Sequence, residues 1–230
     1  MIEASAVLRL KDEAEWLPKC VESIQGIFSE ILLCTQGKSI DETEQICKDL
    51  ADGNQIKHHH FEFESRPNGP GHSNQPYDKH SRAFFYNWCF DKASTKWVCK
   101  WDGDMIAMDN AEKYLQQAIE ADIALKFKGV DVVDDLYHIG EREFCAPEIR
   151  LYKNSSASYD NGPRSESLRY LGTHMQIHEP LFIHTKWAKG EYSQTKAWPK
   201  NWKDIPHFQN IYNRRLAKKK HKYTLPLCLR

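Results

Sequence analysis

Through its first hundred residues the chain alternates short apolar runs with amphipathic stretches of helical period. That alternation limits the folds open to it more than any other feature. Ala4 to Leu10 reads as a strand. Leu17, Cys20, Val21 and Ile24 then recur at helical spacing after Asp12-Glu13, which predicts an amphipathic helix running toward Gly26. The cycle repeats at once: Ile31-Leu32-Leu33-Cys34 has the length and apolarity of a buried strand, and Thr35 to Ser39 is a loop. Asp41 and Glu44 then suggest a capping box for a helix ending at Gly53. Gln55 to Phe63, which includes His58-His59-His60, supplies a third strand. Strands joined by helices at this spacing imply a mostly parallel sheet with right-handed crossovers, half of a doubly wound α/β nucleotide-binding fold.

Residues 64 to 78 hold three prolines and two glycines and cannot form a regular element, and a long polar loop inside a compact domain is usually functional. Lys79 to Ala93 reads as a helix carrying Arg82, Asn87 and a dense aromatic face. Asn110 to Ala121 reads as another helix. Between them, Trp97-Val-Cys-Lys-Trp-Asp-Gly-Asp-Met-Ile106 is an apolar strand that ends in two carboxylates. Residues i and i+2 of an extended segment share a side, so Asp102 and Asp104 are expected to converge on one hard cation, with Gly103 admitting a bulky ligand to the backbone. An Asp-x-Asp arises about once by chance in a chain of this length, and Glu13/Glu15, Glu42/Glu44, Glu62/Glu64 and Glu141/Glu143 show the same spacing. Position separates the Asp102/Asp104 pair from those: it lies at the carboxyl end of a strand, where open α/β sheets bind ligands. A divalent ion there suits a diphosphate, hence a nucleotide-activated substrate.

With 230 residues, 40% of them hydrophobic, the chain can bury a substantial core as one large domain or a domain with a tail. No window approaches the roughly 18 apolar residues of a membrane span, and the amino terminus lacks a signal-peptide layout, so a cytoplasmic location is expected. Seven cysteines, odd in number and without a Cys-x-x-Cys pair, read as reduced core thiols and disfavour a zinc site. The formal charge of zero hides an asymmetry: residues 186–230 carry twelve Lys/Arg against two acids. Such a segment favours a phosphate-rich surface, whether an anionic membrane leaflet, a lipid-diphosphate acceptor or nucleic acid. The expected organisation is a catalytic domain over 1–185 and a basic, aromatic-containing extension over 186–230, with a basic helix around His207 to Lys222.

Several separated segments, in order, resemble the family-two glycosyltransferases of the GT-A fold over roughly residues 4 to 185. Val7 to Leu17 looks like that family's first strand and its "(R/T)-x-K-N-E" turn, with Asp12 where asparagine is commoner. Ser81-Arg82-Ala83 through Asn87 looks like its "R-A-x-N" helix, and Asp102-Gly103-Asp104 like its D-x-D. Glu148-Ile149-Arg150-Leu151-Tyr152 looks like its "R-L-(F/Y)" strand, and Leu181-Phe182-Ile183-His184 like its late strand ending in histidine. The resemblance implies a Rossmann-like central sheet flanked by helices, with a smaller mixed acceptor-side sheet. It also implies an inverting transfer of a sugar from a nucleoside diphosphate sugar to a hydroxyl of a glycan or lipid-linked acceptor, assisted by Mn²⁺ or Mg²⁺.

On that resemblance the ion falls to Asp102, Asp104 and His184, and an imidazole beside carboxylates favours manganese. Arg82 is expected to neutralise the diphosphate, and Arg9 and Lys11 are further nucleotide contacts. Glu166 falls near the family's "R-x-H-E" segment and is the expected general base, with Asp160 in reserve. Trp101 is expected to pack. Where the family usually places a base-binding aspartate after its second strand, this chain has Gln36, whose amide can donate and accept, so uridine is the expected base. Ser165 stands where the family has the histidine of "R-x-H-E". Two alternatives stand beside this reading. A nucleotidyltransferase is disfavoured because residues 9 to 16 lack the glycine-rich phosphate loop. A non-catalytic sugar-nucleotide or RNA-binding protein would use the basic tail with Trp187, Trp198, Trp202 and Tyr212, although nucleic acid is the less favoured partner.

Overall fold

The computed structural model describes residues 1–66, 78–133, 138–162 and 166–187, with side chains left undescribed at 133, 138–144 and 187. In chain order the elements are β1 (Ile2–Leu10), α1 (Leu17–Gln25), β2 (Phe28–Gln36), α2 (Thr43–Leu50), β3 (Ile56–Phe61), α3 (Arg82–Phe90), β4 (Trp97–Trp101), β5 (Met105–Ala107) and α4 (Ala111–Glu120). There follow β6 (Ala124–Val133), β7 (His138–Phe144), β8 (Glu148–Lys153), β9 (Ala157–Asn161), β10 (Glu166–Tyr170) and β11 (His174–Trp187). Among the described residues nine strands form one sheet in the order β3-β2-β1-β4-β8-β6-β11-β5, with β7 beside β6, while β9 and β10 form a separate pair. The parallel part, β3-β2-β1-β4, is the half that the strand–helix alternation anticipates. The small second sheet is antiparallel.

Strand pleating explains how both faces of the parallel half are covered. On β1 the even-numbered Ala4, Ala6, Leu8 and Leu10 join the cluster that includes Leu17, Val21 and Ile24 of α1 and Leu115 of α4. Val7, with Leu32, Cys34 and Val98, faces the other way onto Phe85, Cys89 and Phe90 of α3. A continuous apolar run such as Ile31 to Cys34 is what a strand buried on both faces requires. Trp101 is fully buried, donating its indole N–H to the Met105 carbonyl at 2.9 Å; it is a packing residue. The β9–β10 pair docks on α3 through Asn87, whose amide exchanges hydrogen bonds with the backbone of Tyr159 at 2.9 and 2.8 Å.

Local chemistry explains most of the boundaries. Asp12 has φ of +60°, a left-handed conformation that Asn and Asp tolerate better than most residues, and its carboxylate accepts from the Ile40 N–H at 2.8 Å. The expected capping box of α2 does not form. The helix begins at Thr43 after Glu42, because the Asp41 carboxylate is spent on the Thr43 N–H and hydroxyl and on the Ala14 N–H, tying α2 to the approach to α1. That helix ends at Leu50 rather than Gly53, since Asp52 turns the chain by accepting from Asn54 and Ile56. The helix expected over Lys79–Ala93 is shorter, Arg82–Phe90, with Ser81 capping it by accepting from the Phe84 N–H. The described ends of the proline-rich loop are joined by Arg66 and Asp78 at 2.8 Å; residues 67–77 lie outside the described residues.

Glu30 shows how this sheet handles a buried carboxylate. It sits on β2 and accepts from Lys57 at 2.7 Å, from the Ser94 N–H and hydroxyl at 2.9 Å each, and from Ser5. Burial pushes its pKa up, but these donors outweigh burial and hold it down at about 2.

Candidate active site

The residues with chemistry gather at the carboxyl ends of β1, β2 and β4, and the parallel register explains the first contact. Val7 pairs with Lys100 and Leu8 with Trp101, so the next step brings Arg9 beside Asp102. The two form an ion pair, and Arg9 also donates to the Trp101 carbonyl at 3.2 Å. From β8, Arg150 donates to the other Asp102 oxygen at 3.0 Å. The two arginine side chains are nearly inaccessible, at 2% and 7%, while that of Asp102 keeps 32%. Arg9 lies over the Tyr86 ring at 4.5 Å and Arg150 over Phe182 at 5.2 Å. Burial disfavours the Asp102 carboxylate, but Arg9 and then Arg150 outweigh burial and hold its pKa far below the usual range. Glu148 completes the knot, 2.8 Å from Lys100 and 3.3 Å from Arg150.

The alternation argument for Asp102 and Asp104 does not describe this segment. The chain turns there, with the Met105 N–H bonded to the Asp102 carbonyl at 3.1 Å, so the two carboxylates are aimed at different partners. Gly103 answers to packing: a Cβ there would meet the Leu10 side chain at 2.6 Å and that of Glu13 at 3.3 Å. Beyond the turn, Asp104 stands 3.5 Å from His184 Nε2. The backbone and hydroxyl of Thr185 both bond the Asp104 carbonyl, at 2.9 and 3.0 Å, locking the turn onto β11.

His184 occupies the seam of three strands, opposite Met105 on β5 and opposite Asp131 on β6. Its Nδ1 is 2.6 Å from Asp131 Oδ1, and Cys145 Sγ lies 2.9 Å from the same oxygen and 3.2 Å from Nδ1. Burial opposes a charge on the ring, but Asp104, then Asp131 and Cys145, raise its pKa well above the ordinary histidine value. Burial pushes the Cys145 thiol up. This arrangement fits a metal. An Nδ1–H held by Asp131 leaves Nε2 as the ligating nitrogen, in the carboxylate–histidine pattern that orients metal ligands. Two ligands about 2.1 Å from one ion stand roughly 3 to 4 Å apart, which accommodates the 3.5 Å between Nε2 and Asp104.

No protein-family model matches the chain, and no curated protein does. Solved structures do. S. aureus TarS 1-349 superposes with a TM-score of 0.51 at 11% identity, over 94% of this chain and 71% of that one. The same fragment in complex with UDP-GlcNAc gives 0.52 at 13%, over 95% and 68%. The chain has the GT-A glycosyltransferase fold. A further S. aureus TarS structure gives 0.53 at 12% identity over 80% of this chain, which spans 36% of that longer one.

Within this GT-A fold the other expected residues are placed as follows. Lys11 pairs with Glu64, and the Gln36 side-chain Oε1 accepts from the Ser65 N–H at 2.9 Å, so both are engaged at the ends of β1 and β2. Arg82, at the start of α3, stands 3.9 Å from Glu166 on β10, and Asp160 pairs with Arg169 across the β9–β10 pair. Tyr86, one turn after Arg82, lies under the Arg9 guanidinium at 4.5 Å, and burial pushes its hydroxyl up. Sequence reasoning missed Asp131, Cys145 and Tyr86, and assigned no role to Arg150. Arg150 was visible only as the arginine of the Arg-Leu-Tyr strand. Asp131 left a trace as a lone acid in the apolar run Val130-Asp131-Val132. Cys145 departs from the reading of the cysteines as core thiols, since it touches an acid and an imidazole. Residues 163–165, the basic extension from 188 onward with Trp198, Trp202 and Tyr212, and the helix expected at His207–Lys222 lie outside the described residues. Among the described residues no helix is long and apolar enough to cross a membrane.

Proposed function

We propose that the protein is a metal-dependent inverting glycosyltransferase that moves a sugar from a nucleoside diphosphate sugar, uridine-linked, to a hydroxyl of a glycan or lipid-linked acceptor. The observation that carries this reading is Asp104 facing His184 Nε2 while Asp131 holds Nδ1, at the edge of a GT-A sheet. Support for uridine comes from TarS, a likeness of fold solved with UDP-GlcNAc, and from the neutral Gln36 at the end of β2.

In this reading Asp104 and His184 Nε2 would hold a divalent cation, Mn²⁺ in preference to Mg²⁺, which would supply charge neutralisation for the leaving diphosphate. Asp131 keeps the Nδ1 proton, fixing the ring so that Nε2 faces Asp104. Asp102, already neutralised by two guanidinium groups, anchors β1, β4 and β8 around the site and leaves ligation chiefly to Asp104. Glu166 takes the acceptor hydroxyl proton as that oxygen attacks the anomeric carbon, and Arg82 positions the Glu166 carboxylate; Asp160 is the second choice for base. The basic segment after residue 187 provides peripheral contact with an anionic membrane. A thermal-shift panel of nucleoside diphosphates and their sugars, with and without Mn²⁺, tests the proposal. Stabilisation by UDP that requires Mn²⁺ and vanishes in Asp104→Ala is the expected result. UDP stabilisation that is indifferent to Mn²⁺ and survives Asp104→Ala would sink it.

A further inference from the structure

His184 presents two nitrogens to two different groups of ligands, and the proposed function uses only one of them. On the Nδ1 side, the Asp131 oxygen, the Cys145 sulfur and Nδ1 converge with mutual separations of 2.6, 2.9 and 3.2 Å, all three within reach of one ion. Ligands about 2.0 to 2.3 Å from one ion stand roughly 3 Å apart when adjacent in an octahedron and somewhat further apart in a tetrahedron. The triangle is therefore the right size for an ion seated over its face, with a small outward relaxation for tetrahedral geometry. The backbone holds the three residues in place. The Cys145 N–H is bonded to the Gly129 carbonyl at 3.0 Å, and His184 and Asp131 are register partners across β11 and β6.

We infer that Asp131, Cys145 and His184 Nδ1 form a second cation site, selective for a thiophilic divalent ion of the zinc class, and that its occupation excludes the cation proposed at Asp104 and His184 Nε2. Selectivity follows from the donor set: a thiolate beside an imidazole suits zinc, cobalt or cadmium far better than magnesium or manganese. Binding breaks the S–H bond of Cys145, whose proton goes to solvent, and the N–H bond at Nδ1, whose proton is displaced from that nitrogen, and two new bonds to the metal take their place. Exclusion follows from the ring itself. A neutral imidazole has one nitrogen lone pair, so a metal on Nδ1 leaves Nε2 protonated and unable to ligate. A soft cation thus switches off the hard-cation site by moving the ring proton. The site itself stands independently of the proposed transferase reading; only the exclusion rests on it.

The test is a Co²⁺ titration of the full chain followed by absorbance, since a cobalt–thiolate bond gives a near-ultraviolet charge-transfer band. The expected band saturates at one equivalent, falls to baseline in Cys145→Ser and persists in Asp104→Ala. Asp131→Asn, with the sulfur intact, is expected to weaken Co²⁺ binding by about 10-fold or more. Mn²⁺ resonance then reads the exclusion: Zn²⁺ should release bound Mn²⁺ from the wild type. Absence of the band in the wild type, its survival in Cys145→Ser, or an unchanged Co²⁺ affinity in Asp131→Asn overturns the site. A Co²⁺ band with Mn²⁺ and Zn²⁺ bound together overturns the exclusion. A Co²⁺ band with no Mn²⁺ bound in any condition overturns the proposed transferase site and leaves the thiolate site standing.

Discussion

Asp102 and Asp104 are separated by a single glycine, yet they keep different partners. Asp102 is gripped by Arg9 and Arg150, which come from strands on either side of β4. Asp104 faces an imidazole that is itself backed by Asp131 and Cys145. One carboxylate is shared by two guanidinium groups, while the other meets a histidine that it shares with a second acid. Two acids in one short motif therefore have different work, and what distinguishes them is the company each keeps after the turn at Gly103.

Four substitutions press on that contrast. The largest effect is expected for Asp104→Ala, which should lower Mn²⁺-dependent transfer by about 100-fold or more, as loss of several kcal/mol of charge stabilisation implies. Steady-state kinetics across a Mn²⁺ series would check this, and an effect as small as that of Asp102→Asn would erase the distinction. Glu30 is the reference for a carboxylate with fixed partners. Its folded pKa of about 2 lies below the ordinary glutamate value of 4.5, so the unfolded chain binds the proton first as pH falls. The stability it contributes is complete above about pH 4.5 and is lost between there and about pH 2, to the extent of about 3 kcal/mol. Urea denaturation across that range should show the slope in the wild type and a flatter profile in Glu30→Gln.

Asp102→Asn should cost about 2 kcal/mol of folding stability, because it leaves two buried guanidinium groups without their shared partner. The usual 3 to 5 kcal/mol for breaking a buried pair is discounted here for the exposed part of Asp102. Denaturant midpoints would measure it, and Mn²⁺ affinity in the same variant should change less than in Asp104→Ala. The smallest expected effect is that of Asp131→Asn on Mn²⁺ binding, about 10-fold through a loosened His184 ring. If Mn²⁺ binding in that variant matched the wild type by magnetic resonance, Asp131 would have no positioning role at the Nε2 side.

Much of the parallel half was legible, because each of its strands is followed by a helix whose apolar stripe has a readable period. α1 has Leu17, Cys20, Val21 and Ile24 buried, as their spacing requires. The place of Asp102-Gly103-Asp104 after β4 was legible for the same reason, and His184 could be singled out by resemblance. The capping of α2 was not, since Asp41 was diverted to Ala14, a contact between elements that local spacing does not encode. Nor was the convergence of Asp131, Cys145 and His184. β6 and β11 are parallel neighbours some fifty residues apart, and His184 meets Asp131 only through that register.

The amino-acid sequence by itself determined the alternation of strands and helices, the faces they bury and the acidic turn at the end of β4. These follow from nearest-neighbour sterics and the period of apolar residues, which act over a few positions. Tertiary structure alone decided which acid is neutralised and which is left to an imidazole. Electrostatic partnership depends on distance in space, and Arg9, Arg150, Asp131 and His184 reach the two aspartates only after strands distant in sequence pair side by side.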